Sequence, residues 1–200
     1  MQPDTGELKL VRQYAINEIA GGLMLGKRAL IAEDPEVRSK LTYHSMDELR
    51  HGWLWTKYLN DKGFGPAPAK GGNDYFDLAD GLADETAFLA AVHVYELRVP
   101  FHLGSHMEFR EVSPDLREVI RGICDDEKHH LSWIRDVLLR RMQTDREAVL
   151  RAIRGAEQAE KATYEKYAAH LKRYDGYLGA FGAFIESRMS KFVSPTSLFH

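Results

Sequence analysis

Two short motifs in the sequence carry the residue types that bind metal ions. Glu48–His51 and Glu127–His130 each place a glutamate three residues before a histidine. On a helix, residues three apart lie on one face, so the carboxylate and the imidazole of each pair can reach the same point in space. An isolated glutamate precedes each motif at nearly the same distance, with Glu18 before the first motif and Glu96 before the second. The repeated pattern predicts six metal ligands.

Helices must position these residues, and the sequence contains start and stop signals for six of them. Capping boxes or an Asp-Pro or Ser-Pro step mark four starts, at Asp4, Asp34, Ser113 and Thr144. The predicted helices span about residues 4–33, 34–62, 80–112, 113–142, 144–174 and 177–192. No segment shows the alternation of polar and apolar residues that is typical of a strand.

Counting along the chain predicts that each set of ligands lies at one height. The number of residues from Glu18 to the turn at Asp34 is close to the number from that turn to the ligands of the first motif. The two distances agree to within one helical turn. Glu96 and the second motif are related in the same way by the turn at Ser113. Two antiparallel hairpins with equal rise per residue would therefore align all six side chains. The Gly- and Pro-rich residues 63–79 are predicted to form a crossover that makes the second and third helices parallel.

Over about residues 5–142 the sequence resembles the ferritin-like di-iron carboxylate superfamily, whose bundles take one Glu from each of two helices and Glu-x-x-His from two others. The resemblance implies an all-α, up-down-down-up four-helix bundle over residues 1–142. Residues 143–200 would form additional C-terminal helices packed on the bundle in the same domain. It also implies two iron ions, with manganese as the alternative, and bridging roles for Glu48 and Glu127. The implied ligands are Glu18, Glu48 and His51 for one ion and Glu96, Glu127 and His130 for the other.

The Asp-Glu-x-Arg-His form of the first motif resembles that of bacterial di-iron monooxygenases and related reductase subunits. In those proteins the aspartate of one motif holds the histidine of the other. The resemblance implies that Asp47 holds His130, that Asp126 holds His51, and that Arg50 pairs with Asp126. The alternative is that these aspartates and the arginine are solvated surface residues.

Six further residues are candidates for a pocket beside the metal ions: Tyr14, Gly22, His44, Trp55, His93 and Pro100. Pro100 lacks the N–H that would bond the carbonyl of residue 96, so it is expected to kink its helix. The two histidines lie one turn before a proposed ligand and are either hydrogen-bonded core residues, further ligands or proton donors. Core packing is the default for Tyr14 and Trp55, and Gly22 provides either close helix packing or space near the metals.

The resemblance implies an O2-dependent oxidoreductase, a hydroxylase, monooxygenase or oxidase that acts on a small apolar or thioester-linked substrate. An external electron donor, a reductase or a ferredoxin, would restore the reduced centre. One alternative is a ferroxidase or a rubrerythrin-like peroxide reductase, and another is a non-catalytic metal-binding bundle. The predicted fifth helix is long, whereas cage-forming ferritins close with a short one. Val99 stands where rubrerythrin-like peroxidases carry an extra glutamate in this region.

Composition restricts the partners. The net charge of −3 gives no reason to expect binding to nucleic acid or to an anionic membrane. The single cysteine, Cys124, excludes an intrachain disulfide and a cysteine-rich metal site. The N-terminal residues lack a basic segment followed by an apolar run, so a cytoplasmic protein is expected. A homodimer is also expected.

Overall fold

A computed structural model of the 200-residue chain describes residues 4–65, 74–109 and 112–189, which form seven helices and no strand. The helices are α1 (Thr5–Ile31), α2 (Pro35–Asp61), α3 (Asp74–Asp80), α4 (Glu85–Phe109), α5 (Pro114–Met142), α6 (Arg146–Leu171) and α7 (Gly176–Arg188). The all-α prediction is confirmed for the described residues. None of these helices is both long and apolar enough to cross a membrane.

Side-chain caps explain where several helices begin. An Asp4 carboxylate oxygen accepts a hydrogen bond from the Gly6 N–H at 2.7 Å, which satisfies one of the unpaired N–H groups at the start of α1. Asp34 caps α2 in the same way, with Pro35 at the first helical position. The prediction that Thr144 caps the fifth long helix was wrong. Asp145 is the N-cap of α6, because its carboxylate accepts from the Ala148 N–H at 2.9 Å.

The predicted crossover over residues 63–79 contains a helix that sequence reasoning missed. Its residues 66–73 lie outside the described part of the chain, but Asp74–Asp80 forms α3. The Gly and Pro residues of the linker precede this segment, and Phe76 and Ala79 are buried at the spacing of one helical face. The Phe76 ring approaches α1 beside Gly21, so tertiary packing supports this short helix. Residues 63–79 were predicted as a connection without a helix of their own, and α3 corrects that prediction at its C-terminal end.

The remaining boundaries differ by a few residues from those predicted. Helix α4 is described to Phe109, and residues 110–111 at its predicted end lie outside the described residues. Helix α7 ends at Arg188, and residues 190–192 of the predicted sixth helix lie outside them as well.

The described residues group into two compact units. One comprises residues 1–80 and 112–123 and the other residues 81–111 and 124–200, each within the described ranges. In the first unit α1 packs along α2, and in the second α4 packs on α6 and α6 on α7. The predicted division into a bundle over residues 1–142 and added helices over 143–200 stays a prediction.

Glycine allows α1 and α2 to approach each other closely. A Cβ atom at Gly22 would lie 2.9 Å from Leu49 Cγ and 3.0 Å from the Ser45 carbonyl oxygen. The Ser45 hydroxyl donates a 2.7 Å hydrogen bond to the Gly22 carbonyl across the same contact. Ser45 also lies opposite Gly26, where a Cβ would be 3.1 Å from its Oγ. Gly22 therefore contributes close helix packing, one of the two roles that the sequence left open.

Gly22→Ala is expected to destabilise the protein by about 1–3 kcal/mol, because the added methyl meets a backbone carbonyl that cannot rotate away. This loss exceeds the roughly 1 kcal/mol that alanine gains over glycine in a helix. Gly155→Ala in α6 is the matched control, since its Cβ would meet nothing within 4 Å. Urea unfolding should show a loss for the first variant and a small gain for the second. Equal gains for both would contradict close packing at Gly22.

Candidate metal centre

The first compact unit brings three of the predicted ligands together. Glu18 lies on α1, and Glu48 and His51 lie on α2. His51 Nδ1 is 3.7 Å from Glu48 Oε1 and 4.0 Å from Glu18 Oε2. One ligand atom from each residue lies within 4.8 Å of the other two. The three side chains form the α1–α2 triad, in which no residue is more than 8% exposed.

The second compact unit brings the other three predicted ligands together. Glu96 lies on α4, and Glu127 and His130 lie on α5. His130 Nδ1 is 3.1 Å from Glu127 Oε2 and 3.8 Å from Glu96 Oε2. All three residues are buried, with His130 completely inaccessible to solvent. These side chains form the α4–α5 triad, which has the same composition as the α1–α2 triad.

In both triads the distance from the histidine to each carboxylate fits a shared metal ion. Two atoms that each bind one ion at about 2.1 Å lie no more than about 4.2 Å apart. The distances from each histidine nitrogen to its two carboxylates, 3.1 to 4.0 Å, fall within that limit. In the α1–α2 triad the ligand atoms of all three residues also lie within 4.8 Å of one another, so small side-chain movements would let them share one ion.

The electrostatics of the α1–α2 triad also fit a cation. Burial raises the pKa of Glu18 well above its ordinary 4.5, and the nearby charge of Glu48 raises it further. His51 and the Trp55 N–H oppose this rise but do not cancel it. Two carboxylates buried side by side are costly to ionise without a positive charge between them. A divalent cation would supply that charge and keep both groups ionised.

The donor set restricts the metal. Each triad offers two carboxylates and one imidazole, and no thiolate. Oxygen-rich sites with an imidazole suit iron or manganese better than the thiolate-rich sites of structural zinc. The α1–α2 triad is thus a buried Glu/His cluster that could bind metal, in an all-helical chain compatible with a ferritin-like bundle. The predicted pair of iron ions stays a prediction.

Trp55 has a role beyond the core packing expected for it. Its indole N–H donates a hydrogen bond to Glu18 Oε1 at 3.3 Å, and the residue is completely buried. The Tyr14 ring lies 5.4 Å away, centroid to centroid, and restrains the indole from the side. Sequence could have suggested this bond, because Trp55 lies one turn after His51 on the same helical face. Trp55 thus fixes the orientation of a proposed ligand.

Trp55→Phe should lower the affinity of the protein for ferrous or manganous ions by about 10- to 100-fold, the usual cost of losing a group that orients a ligand. Phenylalanine keeps an aromatic ring against Tyr14 but cannot donate to Glu18. Trp53→Phe is the control, since Trp53 is 59% exposed. Anaerobic competition with a fluorescent chelator would measure both affinities. Unchanged affinity in Trp55→Phe would contradict the orienting role.

The other predicted pocket residues are buried or half-buried on the ligand helices. His44 Nε2 lies 3.5 Å from Glu48 Oε1, close enough to orient this ligand. Burial lowers the pKa of His93 to about 4, with a smaller lowering from Arg135 and an opposing effect of Glu96. His93 is therefore a neutral imidazole at physiological pH. Helix α4 continues through Pro100, and the kink expected there stays a prediction.

Among the residues that were predicted to surround the ligands, Arg50 and Asp47 lie close together on α2. Arg50 Nε lies 3.8 Å from Asp47 Oδ1 on the same helix, with about half of the Arg50 side chain exposed. The predicted pairings of Asp47 with His130, and of Asp126 with His51 and Arg50, stay predictions.

A second buried polar cluster, on α4 and α6, was missed by sequence reasoning. Arg98 donates two hydrogen bonds to the Glu160 carboxylate at 2.6 and 2.7 Å. Its guanidinium carbon also lies 4.1 Å from the centre of the Tyr164 ring. The Tyr164 hydroxyl is 2.7 Å from His102 Nδ1. Arg98 and His102 are four residues apart, and so are Glu160 and Tyr164, so each pair lies on one face of its helix. The sequence contains both pairs, but only the tertiary fold shows that they contact each other.

Burial determines the protonation of this α4–α6 cluster. It raises the pKa of Tyr164 and keeps the residue a phenol. It lowers the pKa of His102 to about 3, with further lowering from His106 and Arg98. The phenol can therefore donate its proton in a hydrogen bond to a neutral imidazole, and Arg98 with Glu160 forms the charged pair of the cluster.

Comparisons of the chain with protein-family models, with curated proteins and with solved structures found no match. The assignment of a function therefore depends on the residues of the two triads.

Proposed function

We propose that the protein is a ferritin-like di-iron oxidoreductase that uses O2 to hydroxylate or oxidise a small apolar or thioester-linked substrate. One observation carries the proposal: two buried triads have the same two carboxylates and one imidazole, and in each the histidine Nδ1 lies 3.1 to 4.0 Å from both carboxylates. Such sites in helical bundles hold redox-active metal pairs. The up-down-down-up arrangement of α1, α2, α4 and α5 is part of the proposal.

The register of the sequence supports a single dinuclear centre. The pair Glu48 and His51 follows the turn at Asp34 at the same spacing as the pair Glu127 and His130 follows the turn at Ser113. The isolated glutamate of each set precedes its turn at a matching distance. Helices of equal rise would place the two triads at the same height in a bundle. The resemblance implies that Glu48 and Glu127 would be shared between the two ions, which metal spectroscopy can test.

The residues of the chain would bind, orient and shield the metals. Bound iron would supply the redox chemistry with O2, which side chains alone do not provide. The Trp55 N–H bonds to Glu18 and orients this ligand, and His44 Nε2 lies 3.5 Å from Glu48 Oε1. The burial of all six proposed ligands excludes bulk water and strengthens the electrostatic interactions at the site.

Electron balance requires a further partner. Hydroxylation of a substrate by O2 consumes two electrons from the substrate and two from a donor, with two protons and release of water. The described residues contain no second redox group, and Cys124 is the only cysteine of the chain. A reductase or a ferredoxin would therefore deliver the electrons from outside.

The alternatives from the sequence differ in how they use iron. Iron storage fits less well, because α6 spans Arg146–Leu171 and is followed by α7, whereas cage-forming ferritins close with a short helix. A peroxide reductase would use peroxide in place of O2. A metal-binding bundle without catalysis would hold both ions and turn over neither oxidant.

Oxygen uptake by the iron-loaded protein tests the proposal. The protein is loaded anaerobically with ferrous iron and supplied with NADH, a ferredoxin reductase and ferredoxin, and O2 uptake is followed with and without a panel of fatty acyl thioesters and small hydrocarbons. We expect sustained uptake that depends on the donor and increases with one substrate class. Glu127→Gln should abolish it. Accumulation of far more than two irons per chain, or faster turnover with peroxide than with O2, would replace the proposal with storage or peroxide reduction.

A further inference from the structure

The α1–α2 hairpin exposes large apolar side chains along one side of both helices. Met46, Trp53 and Leu23 are 62%, 59% and 57% exposed, although each is a residue type that normally packs inside a protein. The spacings of these residues follow one helical face, with steps of three, four or seven positions. We call this surface the hairpin face; it consists of Ile19, Leu23, Tyr43, Met46, Leu49 and Trp53.

The two helices make this face continuous. Leu49 lies over Gly22 of α1, and Ile19 lies over Gly52 of α2. Because glycine carries no side chain, each large residue reaches across to the neighbouring helix, and no polar groove separates the two rows. The outcome is one surface formed by two antiparallel helices rather than a set of scattered apolar residues.

The size of the face matches what a protein dimer requires. Six large side chains at these exposures offer roughly 80 Å² of apolar surface each, so the face presents on the order of 500 Å² of apolar surface. This is near the upper end for a monomer, whose largest patch measures about 300–600 Å². A standard interface buries about 800 Å² on each partner, and about 65% of a homodimer interface is apolar. The apolar share of such an interface, about 500 Å², equals the area present here.

The charges around the face favour an uncharged apolar partner surface over an acidic one. Three cations follow face residues by one turn. Lys27 lies 3.3 Å from Asp80, Lys57 lies 2.6 Å from Asp61, and Arg50 lies 3.8 Å from Asp47. Each rim cation is thus offset by a carboxylate of its own chain. Two such faces can therefore contact each other without net repulsion between like charges. These three cations also leave little unbalanced positive charge to attract an acidic peptide or an anionic membrane.

We propose that the hairpin face binds the same face of a second copy of this chain about a two-fold axis. A two-fold contact uses one surface twice, so it requires only that the face complement itself. Met46 and Trp53 lie among the most exposed residues of the face and are the expected centre of the contact, since exposed aromatic and methionine side chains are enriched in interfaces. The ligands Glu18 and Glu48 immediately precede Ile19 and Leu49, so the dimer would hold both ligand helices in place.

Sedimentation velocity of the full-length, metal-loaded protein tests the proposal. The wild type should sediment as a dimer at concentrations from about 1 to about 100 µM, because dimers dissociate only when diluted below their Kd. Met46→Asp with Trp53→Asp should raise the Kd at least about 100-fold and give a monomer. Met46→Gln with Trp53→Gln is a milder pair that should act in the same direction if the aspartates impair folding. Leu139→Asp with Tyr174→Asp is the control, since both residues are exposed and belong to the other compact unit.

Circular dichroism and iron content would confirm that each variant is folded. A wild type that is monomeric at about 100 µM would overturn the proposal. In that event, flotation of the monomer with anionic vesicles would reassign the face to a membrane surface. A dimer that resists both pairs of face substitutions would also overturn it, because the interface would then lie elsewhere. A control that dissociates as readily as the face variants would have the same consequence.

Discussion

Glu48→Gln is expected to abolish stabilisation of the protein by metal while leaving the metal-free protein at least as stable as the wild type. Without metal, burial raises the pKa of Glu18 and the charge of Glu48 raises it further, because two carboxylates buried together repel each other. The neutral amide has the same shape and can donate a hydrogen bond to Glu18, so it relieves that repulsion. It cannot supply the second carboxylate that an ion needs in the α1–α2 triad.

Thermal unfolding with and without ferrous or manganous ions would measure both effects. Saturation at 100 times the Kd stabilises a protein by about 2.7 kcal/mol, which corresponds to a rise in Tm of about 5–10 °C at this chain length. The wild type should show that rise and Glu48→Gln should not. Glu36→Gln, an exposed position near the start of the same helix, should behave like the wild type. An undiminished rise in Glu48→Gln would contradict its role as a ligand.

The same carboxylates predict how the stability of the metal-free protein depends on pH. Because the pKa of Glu18 is raised in the folded state, the folded protein holds that proton more tightly than the unfolded chain does. The contribution of Glu18 to stability is therefore complete below the ordinary pKa of 4.5 and is lost as the pH rises through the raised value. Metal should reverse this trend, since it binds the ionised carboxylates. Urea unfolding across this pH range, with and without manganous ions, would measure both trends.

Glu160→Ala is expected to destabilise the protein by about 3–5 kcal/mol, the cost of leaving one partner of a buried ion pair without the other. Arg98 donates two short hydrogen bonds to Glu160, and neither residue is more than 6% exposed. The Tyr164 ring covers the guanidinium, so water cannot easily replace the lost carboxylate. The pair joins α4, which carries Glu96, to α6.

Urea unfolding would measure this loss against two comparison variants. Glu165→Ala on the same helix should cost less than about 1 kcal/mol, because its contact with Lys161 is exposed. Arg98→Met combined with Glu160→Leu should recover most of the stability, since it removes both charges and keeps the volume apolar. A cost below about 1 kcal/mol for Glu160→Ala would show that solvent reaches the pair.

The sequence predicted most of the helices because their signals are local. Asp34 followed by Pro35 specifies a helix start through its own hydrogen bonds and its fixed φ, whatever the rest of the chain does. The grouping of Glu18 with Glu48 and His51 was also accessible, because a short turn between two long helices fixes their register. The structure places their ligand atoms within 4.8 Å of one another.

The features that sequence reasoning missed depend on tertiary contacts. Helix α3 follows a Gly- and Pro-rich stretch and forms where Phe76 packs beside α1. The bond from Trp55 to Glu18 and the ion pair of Arg98 and Glu160 each join residues that lie far apart in the sequence. The position of Trp55 one turn after His51 indicates that it lies near the ligands, but nothing in the local sequence distinguishes Arg98 and Glu160 from solvated side chains. Thr144 and Asp145 are adjacent polar residues that could each cap α6. Only the backbone geometry of the folded chain shows that Asp145 is the N-cap.

Mössbauer and EPR spectroscopy of protein loaded anaerobically with ⁵⁷Fe and then oxidised would test whether the six proposed ligands hold a coupled pair of irons. We expect two irons per chain in buried Glu/His sites. Because shared carboxylates would couple the two ferric spins, the oxidised sample should give no EPR signal. Glu48→Gln and Glu127→Gln should each lose this coupled species. One iron per chain, or two irons with separate ferric EPR signals, would contradict a bridged centre, and failure to bind iron or manganese would contradict the metal site itself.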